Sequence, residues 1–229
     1  MNGSPAGHHV RIALGLCAAV LIAATLTACA EKHVSSGIYH LRQGDHESAI
    51  EAFREALEHD PDAAIAHYNL GYALSAKVRD EAVAGRYDGI RMELREANQH
   101  FVDAAALDPE TYADDVATAR RFNFTELYNL AVDASTAGTF DPAARALALA
   151  FEATDDPIET KRALVLGLQI DLSRALDSSA SYSQRQAMRL IARLERLRTE
   201  PPVDAVVAAE IEALLERVQS ILYPTPTSR

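Results

Sequence analysis

The stretch Ser36–Pro61, S-G-I-Y-H-L-R-Q-G-D-H-E-S-A-I-E-A-F-R-E-A-L-E-H-D-P, sets the terms for the rest of the chain. Its pattern predicts two short helices packed on each other, His33–Arg42 and Glu47–His59, with a turn at Gly44-Asp45. Glycine takes positive φ there without a Cβ clash, and aspartate caps the helix that follows. Ala49, Phe53 and Ala56 share one helical face, so two small residues admit the partner helix while Phe53 fills the space between. Asp60-Pro61 then stops the second helix, because proline disfavours helix in the residue before it. The rest of the chain repeats this unit, stretches it or tethers it.

The first repetition opens at Tyr68-Asn69-Leu70-Gly71 and closes with Ala97, Phe101, Ala104 and Asp108-Pro109. Between its halves lie fourteen extra residues, Lys77 to Ile90. Gly85-Arg86-Tyr87-Asp88 reads as the turn displaced by seven residues, which is about two helical turns, so each helix lengthens and keeps its face. Leu70, Leu74 and Val78 continue one seam; Ile90, Leu94, Ala97, Phe101 and Ala104 continue the other. The expectation is a helical hairpin projecting about 10 Å past its neighbours; the other reading is a disordered loop over 77–89. A weaker repetition begins at Tyr128-Asn129-Leu130-Ala131 and turns at Gly138. Asp141-Pro142 is expected to cap its second helix, Ala143, Leu147 and Ala150 form its face, and Asp156-Pro157 ends it. The residues before it, Tyr112 to Asn123, either extend its first helix backwards or form a short helix of their own.

Gly37, Gly44, Ala49, Phe53, Ala56 and Pro61 fall where a tetratricopeptide repeat places its small, aromatic and proline residues. The chain resembles that family. The resemblance implies an all-α fold, a tetratricopeptide-repeat helical-hairpin solenoid with C-terminal capping helices. Three repeats are expected over 29–157, at about 30–61, 64–109 (with the extension 77–90) and 124–157. The cap, 158–223, is expected to be three helices. Ile158–Leu176 is apolar on several faces (Leu164, Leu166, Leu168, Ile170, Leu172), as in a helix buried between others. Ser181–Arg198 carries Leu190, Leu194 and Leu197. After the Pro201-Pro202 break, Val203–Leu222 carries Val203, Val207, Ile211, Leu214, Val218 and Ile221. An array exposes its last apolar face unless something covers it. Residues 224–229 read as a loose tail.

Composition agrees with helix and narrows the function classes. The chain has 229 residues, 48% hydrophobic and 24% charged, without tryptophan, which suits one or two globular domains. Alanine, leucine, glutamate and arginine favour helix, and no run alternates as a strand does. A formal charge of −11 argues against nucleic acid as a ligand, since a polyanion gains nothing from counterion release. Both cysteines, Cys17 and Cys29, precede the repeats, so no disulfide is expected in the folded part.

Residues 1–28 read as a signal peptide. Arg11 precedes an uncharged apolar run of fifteen residues, Ile12 to Leu26, which is the length of a signal core and short for a membrane span. Leu26-Thr27-Ala28-Cys29 resembles the bacterial lipobox, in which the cysteine sulfur carries diacylglycerol and the freed amine a further acyl chain; two or three chains hold a membrane firmly. The competing readings are a membrane helix over Ile12–Ala30 and an ordinary secretory signal. The resemblance makes Cys29 the lipidation site. Ala30, in place of an inner-membrane-retaining aspartate, favours the periplasmic face of the outer membrane.

No nucleophile elbow, phosphate loop or zinc-protease motif is present, so an enzyme, a cofactor and a small-molecule substrate are not expected. Six histidines follow Cys29, five of them between His33 and His67. None is spaced H-x-x-x-H, and His33 and His67 occupy equivalent packing positions, so no metal site is expected. In tetratricopeptide repeats the first helix of each pair lines the inner surface. By that resemblance the peptide-binding candidates are Ile38 and Leu41, then Ile65, Tyr68, Asn69 and Tyr72, then Tyr128, Asn129 and Val132. Rings supply contact area and amides bond a peptide backbone, although Tyr-Asn-Leu-Gly is also plain repeat consensus. The clamp for chaperone C-terminal carboxylates is disfavoured, because Val34, Ile38 and Thr125 stand where it needs lysine, asparagine and arginine. The expected function is a lipid-anchored scaffold that holds an envelope protein or peptide. The alternative is a pilotin-like chaperone for a pilus, secretion or outer-membrane complex.

Overall fold

A chain this rich in alanine, leucine, glutamate and arginine keeps its backbone hydrogen bonds local. The computed structural model describes residues 29–177 and 184–223, and among them it contains nine α-helices and no strand. The fold is all-α and built of helical hairpins. Residues 1–28, 178–183 and 224–229 lie outside the described residues, and with them the expected signal peptide, Leu26-Thr27-Ala28 and the expected loose tail.

Helix α1 covers 29–42, followed by α2 (His46–His59), α3 (Ala64–Val83), α4 (Ile90–Leu107), α5 (Pro109–Thr136) and α6 (Phe140–Ala153). Then come α7 (Pro157–Asp177), α8 (Gln184–Thr199) and α9 (Ala205–Leu222). Two compact units result. Of the described residues, one comprises 29–77 with Glu96–Ala117, and the other Val78–Arg95 with 118–177 and 184–223. Helices α3, α4 and α5 contribute residues to both.

In the first unit, Phe53, Ala49 and Ala56 of α2 are fully buried with Val34 of α1 and Ala66, Leu70, Ala73 and Leu74 of α3. The close approaches are made by glycine. A Cβ at Gly37 would stand 2.5 Å from the Phe53 ring, and one at Gly71 would stand 2.9 Å from both the Ala97 carbonyl oxygen and the Phe101 ring. No larger residue fits there while the helices keep this spacing. Asp45 caps α2 by accepting from the Ser48 amide at 3.1 Å. The Ser48 side chain, then this amide, holds its carboxyl below the usual range. Helix α1 includes Cys29, so the cysteine lies within the first helix, where a short spacer before it was expected.

The lengthened hairpin is present, but in the second unit it is packed against other helices and does not project. Val78 and Ala82 of α3 and Ile90 and Leu94 of α4 are buried with Phe124, Leu127 and Tyr128 of α5 and Ala146 and Leu147 of α6. The extension is therefore covered, because α5 is one continuous helix of 28 residues that runs from Pro109 through the Tyr112–Asn123 segment. Residues 77–83 are helical and only 84–89 form the turn. A bidentate pair from Arg95 to Glu152, at 2.9 and 2.7 Å, joins α4 to α6.

Two Asp-Pro pairs open helices. Asp108 accepts from the Thr111 amide at 3.2 Å ahead of Pro109, the first residue of α5. Asp156 accepts from the Ile158 and Glu159 amides at 2.7 and 3.1 Å ahead of Pro157 in α7. At Asp141-Pro142 the expected cap is absent. Helix α6 starts two residues earlier, Thr139 takes the N-cap position, and its hydroxyl donates to the Ala134 carbonyl at 2.9 Å. Asp141 instead pairs with Arg174 at 2.9 Å.

Helix α7 buries Leu166 and Ile170 against α5 and α6. Its Val165, Leu168 and Leu172 are buried with Ala187, Leu190 and Leu194 of α8 and Val207, Ile211, Leu214 and Val218 of α9. Leu164, expected inside, is 37% exposed. Lys161, one turn into α7, is buried, its ammonium donating to the Glu200 carbonyl.

Candidate functional site

The nine residues expected to face a peptide separate into two settings. In the first unit, Ile38 and Leu41 pack against the core around Phe53, so they serve the hairpin more than a surface. Ile65 and Tyr72 are 43% and 41% exposed on α3. Between them Tyr68 is half-buried, its ring stacked on Tyr112 at 5.2 Å and 5.9 Å from Phe101. Burial first, then the Asp115 carboxylate, raises its phenol above the ordinary range, so it stays a neutral donor. The Asn69 amide donates to the Ile65 carbonyl of its own helix at 2.7 Å, which takes one donor away from any peptide.

In the second unit Tyr128, Asn129 and Val132 of α5 line a cleft of about 360 Å³. Arg162, Val165, Leu166 and Gln169 of α7 form its other wall, and Glu210 of α9 reaches in beside them. The register explains the meeting. Tyr128 is on the α5 face that buries Phe124 and Ala131, and its ring edge reaches the cleft. The Arg162 guanidinium lies over the Tyr128 ring, 5.0 Å from its centre, and its Nη2 is 3.6 Å from a Glu210 carboxylate oxygen. Burial raises the Glu210 carboxyl, with Arg162 pulling the other way, and raises the Tyr128 phenol further with help from Glu210. Arg162 Nε and Glu210 Oε2 are buried and have no hydrogen-bond partner. Such buried atoms are costly to leave bare.

Chemically, the cleft offers an aromatic and aliphatic floor, a charged pair at one end and the amides of exposed Asn129 and Gln169 at the rim. Sequence reasoning found the α5 wall and missed the α7 and α9 wall. The missing signal was the α7 pattern itself, since Arg162, Val165 and Gln169 follow one helical face of a segment read only as cover. At the positions compared with the carboxylate clamp, Val34 is buried and the Thr125 hydroxyl donates to the Arg121 carbonyl at 2.9 Å.

A different set of groups meets in the first unit, where His67, His100 and Asp103 bring three potential ligand atoms within 4.8 Å of one another. Among the described residues, no helix is long and apolar enough to cross a membrane.

Residues 40–77, from the end of α1 to the middle of α3, match the family model described as TPR repeat. Repeats of this kind act as protein-interaction scaffolds. No curated protein matches the sequence significantly.

Proposed function

We propose that this protein is a scaffold that holds a partner protein or peptide in the α5/α7/α9 cleft, tethered to the bacterial envelope through an acylated Cys29. The observation that carries the binding half is the cleft, in which Tyr128, Asn129 and Val132 face Arg162 and Gln169 beside an unsatisfied Glu210 oxygen. A wall of apolar and aromatic groups with side-chain amides at its edge suits an extended chain. Alternate side chains of that chain enter the floor, and its backbone bonds to the rim. The net charge of −11 favours a basic partner. The tether rests on Leu26-Thr27-Ala28-Cys29 following an uncharged apolar run. An exposed Cys29 in the described structure is compatible with acylation. The outer-membrane location rests on Ala30 after the cysteine.

The test is cross-linking and co-purification of the full-length acylated protein from membranes, with an Asn129→Arg/Gln169→Arg double variant beside it. Both positions are exposed, so the variant keeps its core. Loss of a specific co-purifying protein is the expected result; equal recovery would reject the cleft as the binding surface. A pilotin-like role, favoured by the same anchor, predicts that the partner's location fails in a deletion strain. A scaffold predicts that its location holds and its activity falls.

A further inference from the structure

His67 on α3 faces His100 and Asp103, which lie one turn apart on α4. The two Nδ1 atoms are 2.9 Å apart, and His67 Nδ1 is 3.8 Å from Asp103 Oδ2. Zinc–nitrogen and zinc–oxygen bonds of about 2.0–2.2 Å set tetrahedral ligand atoms roughly 3.4 Å from one another. The observed separations bracket that value, so small side-chain rotations would close a three-ligand centre.

The groups behind these ligands are arranged for the same end. His67 Nε2 is 2.9 Å from the Pro61 carbonyl oxygen. A carbonyl only accepts, so Nε2 carries the hydrogen, and in the neutral ring Nδ1 presents its lone pair toward His100 and Asp103. Asp103 Oδ1 accepts from the Gln99 amide at 2.9 Å, leaving Oδ2 for the imidazoles. His100 Nε2 stands 3.9 Å from Glu96 Oε1, which is itself held by Arg54 at 2.6 Å. Without a cation, His100 must use its Nδ1 hydrogen on His67, so its Nε2 lone pair confronts the Glu96 carboxylate. With a cation between the Nδ1 atoms the hydrogen moves to Nε2 and points at Glu96. This is the carboxylate–histidine–metal arrangement that orients a ligand and raises its basicity. The side chains of His67 and His100 are 12% and 19% exposed and that of Asp103 36%, which leaves a solvent side for a fourth ligand.

The first hairpin is an internal control. His33 precedes Gly37 as His67 precedes Gly71, and Glu55 follows Phe53 as Asp103 follows Phe101. His33 Nδ1 and Glu55 Oε2 are a simple two-residue contact at 2.8 Å. Ala52 stands where the second hairpin has His100, so the third ligand belongs to the second hairpin alone.

We propose that His67, His100 and Asp103 bind one divalent transition-metal ion of the zinc class, which clamps α3 to α4. Two imidazole nitrogens and one carboxylate select such an ion over calcium or magnesium, which prefer all-oxygen sites. The site is independent of the cleft.

The experiment is calorimetric titration of metal-stripped full-length protein in detergent with zinc chloride at pH 7.5, repeated with calcium chloride. His100→Ala and Asp103→Asn are titrated alongside, and circular dichroism is used to verify that each is folded. Saturation near one zinc per chain, affinity reduced about tenfold or more in both variants, and no calcium binding are expected. A zinc-dependent rise in melting temperature should accompany this in the parent and be lost in His100→Ala. Absence of saturable zinc binding overturns the proposal. So does equal binding by the parent and both folded variants, which would assign the metal to other groups of the chain.

Discussion

At the scale of single residues, two glycines with the same helical environment have opposite consequences. A Cβ at Gly71 meets the Ala97 carbonyl oxygen at 2.9 Å, and backbone cannot rotate away. Gly71→Ala should therefore lower stability by about 1–2 kcal/mol despite the better helix propensity of alanine. A Cβ at Gly167 of α7 meets only Leu147 Cδ2, at 3.4 Å, an ordinary contact. Gly167→Ala should raise stability by about 0.5–1 kcal/mol. Urea midpoints of the two variants, measured side by side, decide whether the close approach is real. His100 makes a pH prediction. Burial, then the neighbouring His67, depresses its folded pKa; Glu96 and Asp103 pull it up and Arg54 down. A depressed folded value means the unfolded chain takes the proton first. The stability from neutral His100 is full above its ordinary value of 6.5 and is lost as pH falls through the folded value. Metal-free protein should lose stability from about pH 6.5 downward, and His100→Ala should flatten that slope. A slope unchanged by the substitution would show that other groups carry it.

At the scale of elements, the aspartates before proline decide where helices begin. Asp156 accepts from two amides at the head of α7, the helix that joins the α5/α6 core to α8 and α9. Asp156→Ala should cost about 1–2 kcal/mol, more than a typical single-bond cap, and Asp156→Asn should recover most of it. Thermal unfolding of the pair measures this, and equal loss in both would mean that charge, not the cap, matters. The same geometry explains a misreading. Asp-Pro ends a helix by excluding αR before proline and starts one by supplying a cap and a preset φ; sequence alone does not say which side is helical. At 108–109 and 156–157 a single element boundary does both, with helices on either side.

At the scale of the whole molecule, the proposed anchor and the proposed binding surface make separate demands on one chain. Cys29→Ser should move the protein from the membrane to the soluble fraction on cell fractionation, because without acyl chains only weak association remains. Retention in the membrane would refute the tether. The seven-residue extension on each side of the Gly85 turn is not a protrusion. Its Val78, Ala82, Ile90 and Leu94 are needed to cover Phe124 and Leu127. Lengthening one hairpin forced its neighbour α5 to lengthen as well, since apolar seams left uncovered by either helix would be exposed to water.

The residue order alone determined the helical class, the first hairpin with Phe53 filling the space between its helices, and the helical face continued through 77–83. Each of these follows from spacing within a helix or from small-to-large complementarity between adjacent helices, which is local information. The tertiary structure alone decided the continuity of α5, the burial of the extension, the Arg162 and Glu210 side of the cleft and the meeting of His67 with His100. Those depend on which faces of non-adjacent segments come together. His100 was the one histidine after Cys29 outside the His33–His67 cluster, and it met His67 only because Gly71 lets α3 lie directly against Ala97 and Phe101.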